Sequence, residues 1–449
     1  MSKKHTYRTV DVQKLVLAKV LEQLVTLVVV IAIDVAKRRQ VAAFTDAAGQ
    51  PAFICHWDHP RQNESFLGLV DGLKAAGKQV QMVMEPSGTY GDALRHRCRE
   101  HGCEVFMLNP KKTHDAKELF DGVPSQHDAK DATVIARLHA QKLSRPWEPP
   151  SDQERTLRAL VSQREIHAEH LEQMHGQLEA LQARHFPEFE QHLDLRGQKS
   201  AMRLLVDYPS AGQMAQDKKG VETLVGRHSR GRIGPDKLQG LLEAAQNTQG
   251  VPMLKGEADL VSAVAQEAVR KQELIQALKP PMESLLAQMP QTASLVAFLG
   301  VTTTAVLLAH LGDLNRYGSA GALQKACGLN LKVSVSGRDN LRKNPPGLHI
   351  TKRGPGIVRK YLYLATLRWL QSDATARAWY EKRQGYTEPS KQRAVVALMR
   401  KLVSLLWHLS RGACYEPSRL FDLRRLEPKM GPREGFPQRI RREVSAPPN

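Results

Sequence analysis

The pattern of apolar and polar positions divides this chain in two. Up to about residue 145 the apolar residues come in short runs bounded by turn residues. The runs are Leu27–Val35, Gln40–Thr45, Ala52–Trp57, Val80–Glu85 and Cys103–Asn109, rich in valine, isoleucine and other strand formers. Short polar turns, Lys37-Arg-Arg39 and Asp46-Ala-Ala-Gly-Gln50, separate the first three, which predicts an antiparallel meander. Helical stretches come next at Glu64–Ala76 and at Tyr90–His101, the second stopped by Gly102. The N-terminal half therefore reads as α/β.

After Pro146-Trp-Glu-Pro-Pro150, which reads as a linker, the period becomes helical. Leu157, Leu160, Leu171, Met174, Leu178 and Leu181 follow an alternating three-and-four spacing, with Arg164 and His167 breaking the seam. This helix is expected to stop near Pro187. A second seam, Val261, Val264, Ala268, Ile275 and Leu278, predicts a partner, either in an antiparallel pair or at an oligomer contact. The stretch between, about 187 to 257, reads as irregular and basic. Residues 291–312 predict a short helix, a turn at Gly300 and a longer apolar helix whose N-terminus could offer N–H groups to phosphate. A polar loop over 334–347 and two amphipathic helices, about 357–371 and 390–411, complete the pattern. The tail after about 428 has few apolar residues and is expected to be disordered.

Charge and chemistry sharpen this outline. Lys and Arg number 65 against 46 Asp and Glu, a formal charge of +19, which points to a polyanionic partner rather than to a solubilising surface alone. Five cysteines without disulfide-like spacing suit a reducing cytoplasm. His96, Cys98, His101 and Cys103 straddle a helix end, so they are expected to be incidental rather than zinc ligands. No run reaches the ~18 apolar residues of a membrane span. Asp34 ends the first apolar run, Glu85 ends the fourth, and Asp128 and Asp131 lie three apart at the start of a helical pattern. Each acid alone could be a solvated surface residue. Two acids ending buried strands plus two on one helix face can instead converge on a pair of divalent ions, as phosphoryl transfer on nucleic acid requires. Three antiparallel strands, then alternating helices and strands with acids at strand ends, is the order of a ribonuclease-H-like fold. A generic α/β fold explains the pattern equally well if the acids are ignored.

A serine offers a second chemistry. Ser336 precedes Gly337 in a loop with Arg338, Arg342 and Lys343, where an alkoxide could attack phosphorus while cations stabilise the charge. Ser334 is an equally exposed alternative, and a loop Ser-Gly is more often simply a turn. Lys352 and Arg353 would suit phosphate clamping, against a solvated basic loop.

Taken together, the chain resembles the DEDD transposases of bacterial insertion sequences, the IS110 family of bridge-RNA-guided recombinases. The resemblance rests on Ala32-Ile-Asp-Val-Ala-Lys37, Met84-Glu-Pro-Ser-Gly-Thr-Tyr90, Asp128-Ala-Lys-Asp-Ala132, Leu307-Leu-Ala-His-Leu-Gly-Asp-Leu-Asn-Arg-Tyr317, Cys327-Gly-Leu329, Ser336-Gly337 and Ile350-Thr-Lys-Arg-Gly354, in that order. It implies an N-terminal RuvC-like domain (28–147) whose acids Asp34, Glu85, Asp128 and Asp131 bind Mg²⁺ or Mn²⁺. It implies a helical coiled-coil region with an irregular insert (151–290) and a mostly α C-terminal transposase domain (291–415) with Ser336 as nucleophile. Residues 1–27 would be an N-terminal extension and 428–449 a basic tail. Arg338, Arg342, Lys343, Lys352 and Arg353 would contact nucleic acid. The implied function is strand cleavage and exchange through a transient phosphoserine link, guided by a structured RNA. It would take place in a homodimer or homotetramer whose site pairs acids and serine from different subunits, in the bacterial cytoplasm at the nucleoid. The alternatives are a hydrolytic RuvC-like nuclease or junction resolvase without a covalent intermediate, and a binding protein that has lost activity.

Overall fold

The computed structural model describes residues 7–426 except 87, 121, 124–126, 230, 333–348 and 386–387. The chain forms two compact units that divide between Pro149 and Pro150.

The first unit is built on a seven-stranded sheet. Its elements are β1 (Thr9–Asp11), α1 (Leu17–Gln23), β2 (Val28–Asp34), β3 (Arg39–Thr45), β4 (Pro51–Asp58), α2 (Asn63–Ala75), β5 (Gln79–Met84), α3 (Asp92–Glu100), β6 (Glu104–Met107), α4 (Pro110–Ala116), α5 (Asp128–Ala140) and β7 (Arg145–Pro146). The strand order is β1-β4-β3-β2-β5-β6-β7. β2, β3 and β4 are the antiparallel meander expected from the two polar turns. β5 then runs parallel to β2, and β6 parallel to β5. The segment ahead of Val28 is part of this unit, since β1 pairs in parallel with β4. After α5 the chain returns to the sheet: β7 pairs with β6, and Trp147 donates its backbone N–H to the Val105 carbonyl.

β2 is apolar throughout because it is covered on both faces. Val29, Ile31 and Ile33 join a core with Phe66, Leu67 and Leu73 of α2 and Leu94 and Cys98 of α3. Val30 and Ala32 face the other way and pack with Val134, Ile135 and Leu138 of α5. Elsewhere on α5, Ala129 and Ala132 pack with Val41, Ala43 and Ile54. Those alanines let α5 lie close to the sheet. The same closeness holds at the β3–β4 turn, where a Cβ on Gly49 would come within 2.9 Å of the Arg137 Cα.

The second unit is almost wholly helical. α6 (Asp152–His185) opens with a capping box, in which the Ser151 hydroxyl accepts from the Glu154 amide and the Glu154 carboxylate accepts from the Ser151 amide. It stops one residue before Phe186, close to the expected Pro187. α12 (Lys255–Ala277) packs along it in the opposite direction: His185 at the end of α6 meets Glu257 at the start of α12 at 3.6 Å. The opposite end of α6 is reached after α13 (Lys279–Ala287), where the Gln153 side-chain amide donates to Gln288 Oε1 at 3.5 Å.

The expectation of an irregular stretch between these helices is corrected. Among the described residues five helices occupy it: α7 (Phe189–His192), α8 (Lys199–Asp207), α9 (Ala211–Gln216), α10 (Lys218–Ser229) and α11 (Pro235–Gln246). They close a core with α6 and α12 in which Leu178, Phe186, Phe189, Met202, Leu205, Met214, Val221, Leu241 and Val261 are buried. The helices are short, so each shows too few apolar residues for a period to emerge from the sequence. Near the start of α6, Leu157 and Val161 join a second core with α14 (Ala293–Leu299), α15 (Val301–Leu311) and the helices Gly356–Ser372 and Glu388–Leu409. The turn between α14 and α15 falls at Gly300, with φ +79°. There Arg368 donates to the Leu299 carbonyl and to the Thr303 hydroxyl. Among the described residues no helix is long and apolar enough to cross a membrane.

Candidate active site

The pleat of two strands aims the first two acids. Side chains alternate across a strand. Val30 and Ala32 face α5, and so does the next residue in step, Asp34. On β5 the residues facing α5 are Gln81, bonded to His139 of α5 at 3.1 Å, and Val83; Glu85 continues that series. The parallel register sets Ile33 opposite Met84, so Asp34 and Glu85 leave the sheet side by side. The residues after each strand stop it there. Pro86 lacks the N–H needed to extend the ladder after Glu85. After Asp34, the buried Gln40 side chain closes the turn by donating to the Ala36 carbonyl at 2.6 Å and accepting from the Ala36 amide at 3.1 Å.

The other two acids come from the start of α5. His127 caps this helix, its Nδ1 accepting from the Lys130 amide at 3.2 Å. Asp128 and Asp131 occupy its first turn, where the exposed N–H groups of the helix favour negative charge. Because α5 lies across β2 and β3, its N-terminal end sits over the end of β2. The four carboxylates are coupled through Asp34. It is pushed up to about 7 by burial, and then by the charges of Asp131, Asp128 and Glu85. Glu85 is also raised, by burial first and by Asp131, while the Thr113 hydroxyl and Lys117 pull it back. The four acids singled out in the sequence thus form one electrostatic cluster at the C-terminal ends of two interior strands, β2 and β5.

Two residues of the cluster were missed in the sequence. Thr113 lies on α4 and Lys117 caps its end, one turn apart on the side facing Glu85 and Asp131. The Lys117 ammonium meets Asp131 Oδ2 at 2.7 Å. The signal for α4 was present: Asn109 before Pro110 is a cap with a proline at the first helical position. The side chain of Asn109 accepts from the Lys111 amide. Asp115, on the same helix, pairs outward with Lys111 at 2.8 Å and takes no part in the cluster.

An all-oxygen donor set suits a hard divalent cation. The Oδ1 atom of Asp131 is buried and has no hydrogen-bond partner, which leaves a lone pair for such an ion. The donor chemistry therefore fits. As the side chains stand, no three His, Cys, Asp or Glu groups among the described residues are arranged to hold one metal ion. Cys98 and Cys103 lie buried in the core under the sheet, while His96 faces Glu100 at the surface.

In the second unit, Lys352 and Arg353 are exposed on a tight backbone crossing. Lys352 has φ +55° and donates its amide to the Gly328 carbonyl at 2.9 Å. Gly328 and Gly354 allow this approach, since a Cβ on Gly354 would lie 2.3 Å from the Ala326 carbonyl oxygen. Leu331–Lys332 pairs with His349–Ile350 on either side of residues 333–348, which include the expected nucleophile. Ser336, its alternative Ser334, and Arg338, Arg342 and Lys343 lie outside the described residues, as does the tail from 428.

Comparison with known proteins bears on both units. The profile of a transposase family of the DEDD type, named for IS110, matches residues 31–187, which include all four acids. That of the transposase IS116/IS110/IS902 family matches residues 295–381. The chain is 24% identical over 370 residues to the insertion element IS110 uncharacterized 43.6 kDa protein of Streptomyces coelicolor, covering 80% of this chain and 89% of that one. It is 23% identical over 386 residues to the insertion element IS116 uncharacterized 44.8 kDa protein of Streptomyces clavuligerus, covering 85% and 94%. A pilin gene-inverting protein of Moraxella bovis is 36% identical over 103 residues, which is 23% of this chain and 31% of its own length.

Proposed function

The chain belongs to the IS110 family of DEDD transposases, and on that premise we propose how it cuts and rejoins DNA. The reaction is Mg²⁺-dependent strand cleavage and exchange of an insertion sequence through a transient phosphoserine. An RNA encoded by the element guides it by pairing with donor and target DNA. The observation that carries this reading is the electrostatic action of Glu85, Asp128 and Asp131 on Asp34, which with burial brings Asp34 to about 7. Acids that repel one another this strongly at neutral pH call for a cation among them. Relatives bearing insertion-element names and a pilin gene-inverting relative agree with DNA rearrangement as the outcome.

The meander with two added parallel strands supports a RuvC-like, ribonuclease-H-like reading of the first unit. Divalent ions, when bound, polarise the scissile phosphate and stabilise charge on the attacking and leaving oxygens. Asp34 gives the most rigid anchor, because β2 is central and covered on both faces. Glu85 stands beside it, and Asp128 and Asp131 close the site from the helix. In the covalent step the Ser336 Oγ–P bond forms as the bond from phosphorus to the leaving DNA oxygen breaks, and the serine proton ends on that oxygen. Arg338, Arg342, Lys343, Lys352 and Arg353 hold phosphates. A homodimer or homotetramer belongs to the same reading, with a contact other than the α6–α12 seam, since Leu157, Leu178, Val261 and Ala268 are buried within the chain.

A covalent-trapping experiment tests the serine step. Purified protein, RNA from the element's flank, labelled donor and target DNA and Mg²⁺ are incubated, denatured and resolved on a gel. The expected result is a slow-migrating adduct that is lost in both Ser336→Ala and Asp128→Ala. The hydrolytic reading has one observation in its favour, that all four acids belong to the first unit. Acid-dependent cleavage that Ser336→Ala leaves intact, with no adduct, would replace the serine mechanism by hydrolysis.

A further inference from the structure

Lys117 meets the acid cluster from a helix with no acid of the four on it. Its ammonium lies 2.7 Å from Asp131 Oδ2, with 23% of the lysine side chain and 19% of the aspartate side chain exposed. It also lowers both Asp34 and Glu85. A neighbour holds it there. Phe120, three residues on, packs on α5 with the Arg137 guanidinium 5.0 Å from its ring. An exposed ion pair on a surface contributes little, but this one is mostly shielded from water and acts on three of the carboxylates, Asp131, Asp34 and Glu85. One positive charge does not balance the cluster, and Asp131 Oδ1 still lacks a partner.

We propose that Lys117 is a built-in counter-ion that competes with the divalent ion for Asp131: its ammonium holds the carboxylate in the metal-free protein and leaves it when the metal binds. Two observations converge on this. Asp131 is the acid that acts on both Asp34 and Glu85, so it belongs to the metal site. Yet one of its two oxygens is taken up by Lys117 at 2.7 Å, while the other is buried without a hydrogen-bond partner. A cation that both steadies the empty site and opposes the incoming metal makes metal-free folding and metal affinity trade against each other. Removing it moves the two in opposite directions, which removing a merely structural lysine would not do.

The inference rests on the metal-site reading of the four acids, and the test separates the two. Full-length wild type, Lys117→Met and Lys117→Arg are melted in chelator and titrated with Mn²⁺ by calorimetry. The expected result for Lys117→Met is a lower melting temperature in chelator, Mn²⁺ affinity about tenfold tighter, the size of losing one nearby like charge, and a larger gain in melting temperature on adding Mn²⁺. Lys117→Arg, which keeps the charge, melts like wild type in chelator. If Lys117→Met does not fold in chelator, refolding in Mn²⁺ restores it under this account; failure to be restored overturns it. Equal melting and equal affinity in wild type and Lys117→Met overturn the competition alone, as does weaker Mn²⁺ binding in the variant. A wild type that shows no response to Mn²⁺ overturns both this inference and the metal site.

Discussion

At the scale of the residue, Asp34 carries a stability signature that does not depend on DNA. An acid whose folded pKa lies above its unfolded value favours the fold only while protonated. Its contribution is full below the unfolded value and is lost as pH rises through the folded one. For Asp34 the window runs from 3.8 to about 7. In chelator, Asp34→Asn is therefore expected to melt above wild type at pH 8. The gap shrinks as pH falls toward 4 and levels off about one unit above the folded value. Differential scanning calorimetry across that range checks it; a gap that is constant with pH would mean that Asp34 ionises normally. The acids were legible in the sequence because each sat at the end of a recognisable element. Thr113 and Lys117 were not. They act from a seven-residue helix and its cap, where most neighbours are charged or polar, and what they touch is set by tertiary packing.

At the scale of the element, the site depends on α5 lying close against the sheet. Gly49, in the β3–β4 turn, has φ +76°, and a Cβ there would press into the backbone of α5 at Arg137. Gly49→Ala is expected to cost about 1–3 kcal/mol, read as a lower midpoint in urea. Cleavage should fall as well, because α5 carries Asp128 and Asp131. β2, β3 and β5 could be read from sequence because burial on both faces makes each a nearly continuous apolar run between turn residues, whereas β7, two exposed residues, was taken for part of the linker. The helix pair α6 and α12 was legible from its long seam. β1 was too short to announce itself, with three residues, Thr9–Asp11. The helices α7 to α11 were hidden because their core is assembled from a few residues of each, as with Ala201, Met202, Leu204 and Leu205 on α8. One seam-breaking position on α6 also gained a reason. Arg164 donates to Glu165 at 2.5 Å and to the Tyr361 hydroxyl, in a network that joins α6 to the helix Gly356–Ser372. Glu165→Ala would take away the carboxylate that Arg164 and the Tyr361 hydroxyl share and is expected to destabilise the second unit by about 3 kcal/mol, measured by denaturant unfolding.

At the scale of the whole molecule, a formal charge of +19 makes nucleic-acid binding dependent on salt. Lys352 and Arg353 project from the backbone crossing at Gly328 and Gly354, where a fixed scaffold presents both charges. If each neutralises one phosphate, Lys352→Ala with Arg353→Ala lowers the slope of log affinity against log salt by about 2. Titration of labelled DNA at several salt concentrations reads this directly. An unchanged slope would assign the two residues no phosphate contact. The central claim is that four carboxylates from three elements act as one metal-dependent site for phosphoryl transfer. It is tested most directly by the Mg²⁺-dependent rate of strand cleavage on end-labelled DNA from the element's terminus, with the flanking RNA present. Wild type is compared with Asp34→Asn, Glu85→Gln, Asp128→Asn and Asp131→Asn. The account predicts that each single change lowers the rate by about a hundredfold or more while DNA binding is retained. Full-rate, Mg²⁺-dependent cleavage by any one of the four variants would contradict it.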